Sequence, residues 1–314
     1  MTDSPSIVLF RTDLRLADNP ALHAAVRRGH PLICLYVWNT EATGYDMTGA
    51  ASRWWLHHSL VSLTARIREA GNTLIVRSGR TEEIVSELIG QFKDPHLFWN
   101  RSCEPAVRKT DERVLNLLEE TEVQGTGFDG TNLAHPSDIH TQAGKPYTVF
   151  TPFWRRLQAD FVPSPSLPAP KTLPPSPSKR LKTETLNSLK LLPTIDWAHG
   201  IRNTWSPGEE GARSAFQKFL RTPAKNYATD RDRPDLPQTS RLSPHLHFGE
   251  ISPQRVWQAV TRKIESSRNS QERKSLEAYL RQIGWREFAR HLLYHFLHTE
   301  REPMYEAYKQ FPWS

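Results

Sequence analysis

Four short apolar runs, separated by stretches of helical periodicity, limit the folds open to this chain more than any other feature. Ser6–Phe10, Pro31–Trp38, Thr73–Ser78 and His96–Asn100 read as strands, because brief unbroken apolar runs suit strands covered on both faces. Asn19–Gly29, Ala51–Gly71, Thr81–Phe92 and Pro105–Thr121 read as the helices between and after them. Strand and helix taking turns predicts a doubly wound parallel sheet with helices on both faces, over residues 1–131. Folds of this kind take ligands at the carboxyl ends of their strands.

Residues 132–201 read as a connector between domains. Its centre, 163–177, carries Pro163, Pro165, Pro168, Pro170, Pro174, Pro175 and Pro177. Proline fixes φ and removes a donor, so an extended segment is expected, with Lys179, Arg180 and Lys182 as solvated charges. From 202 to 314 the pattern is helical. Ser206-Pro207-Gly208-Glu209 has the form of a capping box, and Ser243-Pro244 and Ser252-Pro253 repeat the Ser-then-Pro start. Leu276–Leu297 is a long helix candidate with Tyr279, Leu280, Ile283, Phe288, Leu292 and Phe296 as its buried stripe; Gly284 is expected to weaken it.

The 314 residues are enough for two domains of ordinary size, and 10% aromatic content argues against disorder. A net charge of +7 favours a polyanion partner through phosphate contacts. Ten tryptophans can serve packing, base stacking or electron relay, and composition does not choose among them. Cys34 and Cys103 are too few for a four-cysteine metal or iron–sulfur site, and they form no disulfide framework. With no secretory leader and no membrane-length apolar run, a cytoplasmic monomer is expected.

Several motifs admit two readings. Gly125-Thr126-Gly127-Phe128-Asp129-Gly130 fits a dinucleotide-binding spacing but follows a helix and leads into a loop, so its glycines read as turn residues. Thr239-Ser240-Arg241-Leu242-Ser243-Pro244 gathers hydroxyls, a guanidinium and a helix start whose Ser243 can cap. That chemistry suits a phosphate, or it is an ordinary helix start. Trp285, three residues after Gln282, can stack on a base whose edge the amide bonds, or it is core. His245 and His247, like the His57–His58 pair, lack a nearby Cys or carboxylate in sequence, so no metal is expected.

Taken in order, Phe10-Arg11-Thr12-Asp13-Leu14-Arg15-Leu16-Ala17-Asp18-Asn19-Pro20, Ala51–Leu56, Pro146–Trp154, Tyr227 with Arg231–Pro234, Thr239–Ser243 and Trp285–Phe288 resemble the photolyase/cryptochrome family. The resemblance implies an antenna-type α/β domain followed by an all-α flavin-binding domain. It implies that Tyr227, Thr239, Ser240, Arg241, Leu242 and Ser243 contact FAD, that Arg286 partners a flavin phosphate and that Tyr279 neighbours the flavin. It further implies that Trp285 stacks on a flipped-out lesion in damaged DNA, Gln282 bonds the lesion and Arg231 contacts the DNA backbone. Base flipping is a property of that enzyme class, not something read from these residues. The implied activity is light-driven repair of cyclobutane pyrimidine dimers by an electron from reduced FAD; a blue-light photoreceptor or a non-catalytic remnant are the alternatives.

Departures qualify the resemblance. Gln282 stands where many dimer photolyases carry Glu. Cys103 replaces a usual Tyr, and Ala106 and Val107 offer no polar group, which weakens the case for a folate antenna over a deazaflavin. Family members continue past a segment such as Phe311-Pro312-Trp313, where Trp313 resembles the outermost relay tryptophan. The expectation is therefore an incomplete flavin domain, weak or absent FAD binding, exposed apolar surface and less stable C-terminal helices.

Overall fold

The computed structural model describes residues 4–40 and 48–312; Trp313 lies outside the described residues. Strands Ser6–Phe10 (β1), Leu32–Trp38 (β2), Leu74–Ser78 (β3), His96–Asn100 (β4) and Gln124–Phe128 (β5) alternate with helices Pro20–Arg27 (α1), Ala50–Glu69 (α2), Thr81–Ile89 (α3) and Pro105–Glu120 (α4). All neighbouring strands pair in parallel, in the order β3-β2-β1-β4-β5.

The pleat sends alternate residues of each strand to opposite faces. Val8 and Phe10 join Cys34, Phe98, Trp54 and Leu60 on one side. Ile7, Leu9, Ile33, Leu35, Leu97 and Trp99 join Ile84, Leu88, Val114 and Leu118 on the other. Every residue of β1 is buried, because helices cover both faces.

β5 corrects the sequence reading. Gly125 and Gly127 are strand residues rather than turn residues. They are small because Trp99 of β4 lies against them: a Cβ on Gly125 would fall 2.4 Å from Leu118 Cδ1 and 3.0 Å from the Trp99 ring. The segment opens no helix, so it is no dinucleotide fingerprint.

The connector is extended but tightly docked. Leu173 N–H bonds the Ala70 carbonyl (2.7 Å), Leu32 N–H bonds the Pro175 carbonyl (3.0 Å), and Glu184 N–H bonds the Val76 carbonyl (2.8 Å). Leu173, Leu189 and Leu191 enter the α/β core. One α-helix, Phe150–Asp160 (α5), lies wholly within the range read as connector, which also holds two short 3-10 turns.

The helical part continues with His199–Thr204 (α6), Glu209–Arg221 (α7), Tyr227–Asp230 (α8), Ser243–His247 (α9), Pro253–Ser266 (α10) and Ser270–His295 (α11). Phe153, Phe219, Tyr227, Leu276, Tyr279, Ile283 and Phe288 belong to its shared core. Two expected caps do not form. The cap of α7 is Gly208, at φ 103°, and Glu209 instead accepts from the amides of Leu16 (2.9 Å) and Ala17 (3.1 Å). The cap of α9 is Leu242, with Ser243 already inside the helix. Ser252 does cap α10, accepting from Arg255 N–H at 3.0 Å.

The two parts meet along residues 11–20. Arg15 is fully buried and donates to the carbonyls of Asp18 (2.7 Å), Gly130 (2.6 Å) and Gly249 (3.0 Å). Leu14 N–H bonds the Phe248 carbonyl (3.1 Å), and Ser252 Oγ donates to Asp18. Gly249, at φ +65°, permits this approach; a Cβ there would sit 2.1 Å from the Thr12 carbonyl oxygen. Among the described residues, no helix is long and apolar enough to cross a membrane.

Candidate functional site

The hydroxyl-rich segment lines a cleft of about 560 Å³ between α7, the α6–α7 turn and the loop 237–241. α7 forms because Ala212, Phe216 and Phe219 recur at helical spacing and bury one face. Ser214, Lys218 and Arg221 therefore share another face, and all three line the cleft. Across from them stand Thr239, Ser240 and Arg241. With Thr204, Ser206 and Thr222 the described lining holds six hydroxyls, three cations and no carboxylate. Such a set suits a phosphate ester and repels nothing about it.

Arg241 has a left-handed backbone, φ +53°. For a residue with a Cβ this conformation costs about 1–2 kcal/mol. Its guanidinium lies 4.5 Å from the Trp205 ring centre, a cation–π contact. Leu242 beside it is buried in the helical core and anchors the loop.

Behind the cleft, Phe219 contacts Tyr279 (4.5 Å between ring centres) and Tyr227 (5.7 Å). Ser240 lies beside the Tyr279 hydroxyl, which is buried without a well-formed hydrogen bond. Burial pushes both phenols above their ordinary pKa, so each is a neutral donor at physiological pH.

The remaining expected contacts lie elsewhere. Ser243 is exposed and outside the cleft lining, and α9 is a single short turn, so the expected anion-attracting helix start with a serine cap is absent. Arg286, expected to face a flavin phosphate, donates instead to Glu287 and to the Thr131 carbonyl (2.9 Å). Arg231 is exposed beside Asp232, 3.6 Å away.

Trp285 forms a second candidate surface. It is 45% exposed, not core, and stacks on Phe150 with ring centres 3.6 Å apart and planes 8° apart. Arg281 lies 5.3 Å from the Phe150 ring centre. Trp154 continues the stack at 6.1 Å from Phe150 and meets Trp257 at 5.6 Å. Gly284 exists for this packing: a Cβ there would fall 2.4 Å from the Trp154 ring. Gln282, half-buried, shares α11 with Trp285. A flat ring facing solvent, backed by a second ring and flanked by a cation, can stack on a planar ligand.

The DNA photolyase family model matches residues 6–174, more than half of the chain. The chain belongs to the DNA photolyase family. It is 40% identical over 99% of its length to a deoxyribodipyrimidine photo-lyase of Agrobacterium fabrum, and 33% identical over 98% to cryptochrome-1 of Arabidopsis thaliana. A solved class III photolyase from Agrobacterium tumefaciens superposes over 100% of the chain with a TM-score of 0.92 at 38% identity. The chain spans 63% of the first relative, 46% of the second and 64% of the solved structure.

In this photolyase-family chain, the sequence pattern missed Lys218, Arg221, Trp205 and His245 as cleft residues. The α7 spacing of Ser214, Lys218 and Arg221 was the available signal. The carboxylate near His245 was missed too: Glu250, five residues on, meets its Nδ1. Among the described residues, no three His, Cys, Asp or Glu side chains gather as a metal site.

Proposed function

We propose that this chain belongs to a flavin-dependent photolyase that repairs cyclobutane pyrimidine dimers in DNA. The observation that carries this reading is the cleft whose described lining brings Arg241, Lys218 and Arg221 together with six hydroxyls and no carboxylate. Its size falls in the ordinary range for a small-molecule site. Its donors fit the diphosphate of FAD: Thr239, Ser240 and Arg241 from the loop, Lys218 and Arg221 from α7. Tyr279 and Tyr227 would back the loop through Phe219. When bound, reduced FAD supplies an excited-state electron donor. The chain's own part is to bind the phosphates, keep the phenols neutral and present the Trp285–Phe150 stack to an unpaired base, with Gln282 and Arg231 as further DNA contacts. The net charge of +7 favours that polyanion. An antenna chromophore, folate or deazaflavin, would belong to the α/β part.

Titration of FAD into the purified chain, with inorganic pyrophosphate as competitor, tests the cleft. Changing Lys218, Arg221 and Arg241 together to Ala is expected to abolish both interactions; unchanged FAD affinity in that variant defeats the reading. A second reading, a cryptochrome-type photoreceptor, is favoured by Gln282 and by the 33% identity to cryptochrome-1. Blue-light conversion of a dimer-bearing oligothymidylate separates the two: repair supports the first, flavin photoreduction without repair the second.

A further inference from the structure

We propose that Glu250 fixes the tautomer of His245, so that the imidazole presents Nε2 to the cleft as an acceptor for a hydroxyl of the phosphate-bearing ligand. This deepens the proposed function and rests on the cleft being a phosphate-ligand site. Glu250 is 1% exposed and His245 2%. Oε1 of Glu250 accepts from Trp55 Nε1 (3.0 Å), Gly208 N–H (2.7 Å) and Ser59 Oγ, while Oε2 meets His245 Nδ1. Indole and backbone N–H groups can only donate, so Oε1 is an acceptor atom. As a carboxylate the group accepts at Oε2 as well, and the hydrogen of that bond is then carried by Nδ1. A neutral ring carries a single N–H, which leaves Nε2 as an acceptor. His245 lines the cleft, and Nε2 is the polar atom it has left to offer.

The same carboxylate sets the rest of the wall. Gly208 starts α7, which carries Lys218 and Arg221. Trp55 packs edge-on against Trp205 at 5.6 Å, and Trp205 lies under Arg241. The other polar side chains of the cleft are cations and the Trp205 indole, which only donate, hydroxyls, which do either, and the Gln238 amide, which has one atom of each kind. A bare Nε2 adds a pure acceptor, and so selects ligands that carry a free hydroxyl as well as phosphate over phosphate alone.

Long-range proton–nitrogen spectra of the full chain with ¹⁵N-labelled histidine read the tautomer directly, with His245→Asn identifying the signal. The expected result is a proton on Nδ1 and a bare Nε2; a proton on Nε2 overturns the proposal. Glu250→Gln keeps an oxygen for Trp55, Ser59 and Gly208 but turns an amide N–H toward Nδ1, which moves the ring proton to Nε2. FAD affinity is expected to fall roughly fivefold, the worth of one hydrogen bond, while pyrophosphate affinity stays within about twofold. Equal losses for both probes, or none for FAD, overturn it. His245→Ala is expected to shift the FAD-to-pyrophosphate ratio in the same direction, and stands in if the Gln variant does not fold. Ser59→Ala removes an Oε1 donor without changing the tautomer; a ratio shift as large as that of Glu250→Gln also overturns the proposal. If the unaltered chain binds neither probe, the cleft reading itself fails and this proposal falls with it. A wrong tautomer in a chain that binds both removes this proposal alone.

Discussion

Residues 11–20 and 239–243 look alike as sequence: each is short, polar and built around arginine. In the structure they are opposites. Arg15 is fully buried, with its donors directed to three backbone carbonyls in both halves of the molecule. Arg241 is exposed at the rim of a cleft, held in a left-handed conformation, and faces a tryptophan rather than a carboxylate. The first segment is a joint and the second a candidate site. What separates them is whether the donors are used inside the chain, and the left-handed backbone of Arg241 is an outlier of the kind found at functional sites.

The comparison breaks most visibly at Arg15. Arg15→Ala leaves buried carbonyls without donors at the joint, and is expected to cost roughly 3 kcal/mol or more in chemical denaturation. A cost close to zero would mean that the joint is not a joint. Gly284→Ala drives a methyl group into Trp154. Overpacking of about 1–3 kcal/mol opposes a helix-propensity gain of about 1 kcal/mol, so a net loss is expected by thermal unfolding; a stabilised variant would contradict the packing.

The helical half carries an acid-sensitive element of its own. His291 accepts from Tyr147 N–H at 3.1 Å, and burial, aided by His295, lowers its pKa from 6.5 to about 4. The unfolded ring takes a proton that the folded ring resists. This contribution is therefore complete above pH 6.5 and is lost as pH falls toward 4. His291→Gln keeps an acceptor but does not titrate, so its stability should fall less across that window; parallel curves for the two proteins would refute the assignment. The smallest expected effect on stability is at Arg241. Arg241→Gly relieves the left-handed backbone and should change stability by no more than about 1 kcal/mol, in the favourable direction. Marked destabilisation would show that Arg241 is a structural residue like Arg15.

The α/β half was legible because β1 to β4 each hold a run of at least three apolar residues, and α1, α3 and α4 keep a helical period. β5 was not, because the large side chain that dictates its glycines, Trp99, sits on another strand. The Ser206–Glu209 cap was misread because Glu209 answers amides almost two hundred residues away in sequence. The hydroxyl cluster was legible as chemistry, but only the fold brings Lys218 and Arg221 opposite it. Trp285 was read as a stacking ring or as core, and the Phe150 on which it stacks comes from a segment read as connector.

The most direct test of the account is calorimetric titration of inorganic pyrophosphate into the unaltered chain and into Arg241→Gly. Saturable binding by the first and a loss of roughly tenfold or more in the second, at matched stability, is the predicted result, since a charge-assisted hydrogen bond is at stake. Equal affinity in the two proteins, or binding by neither, would contradict it.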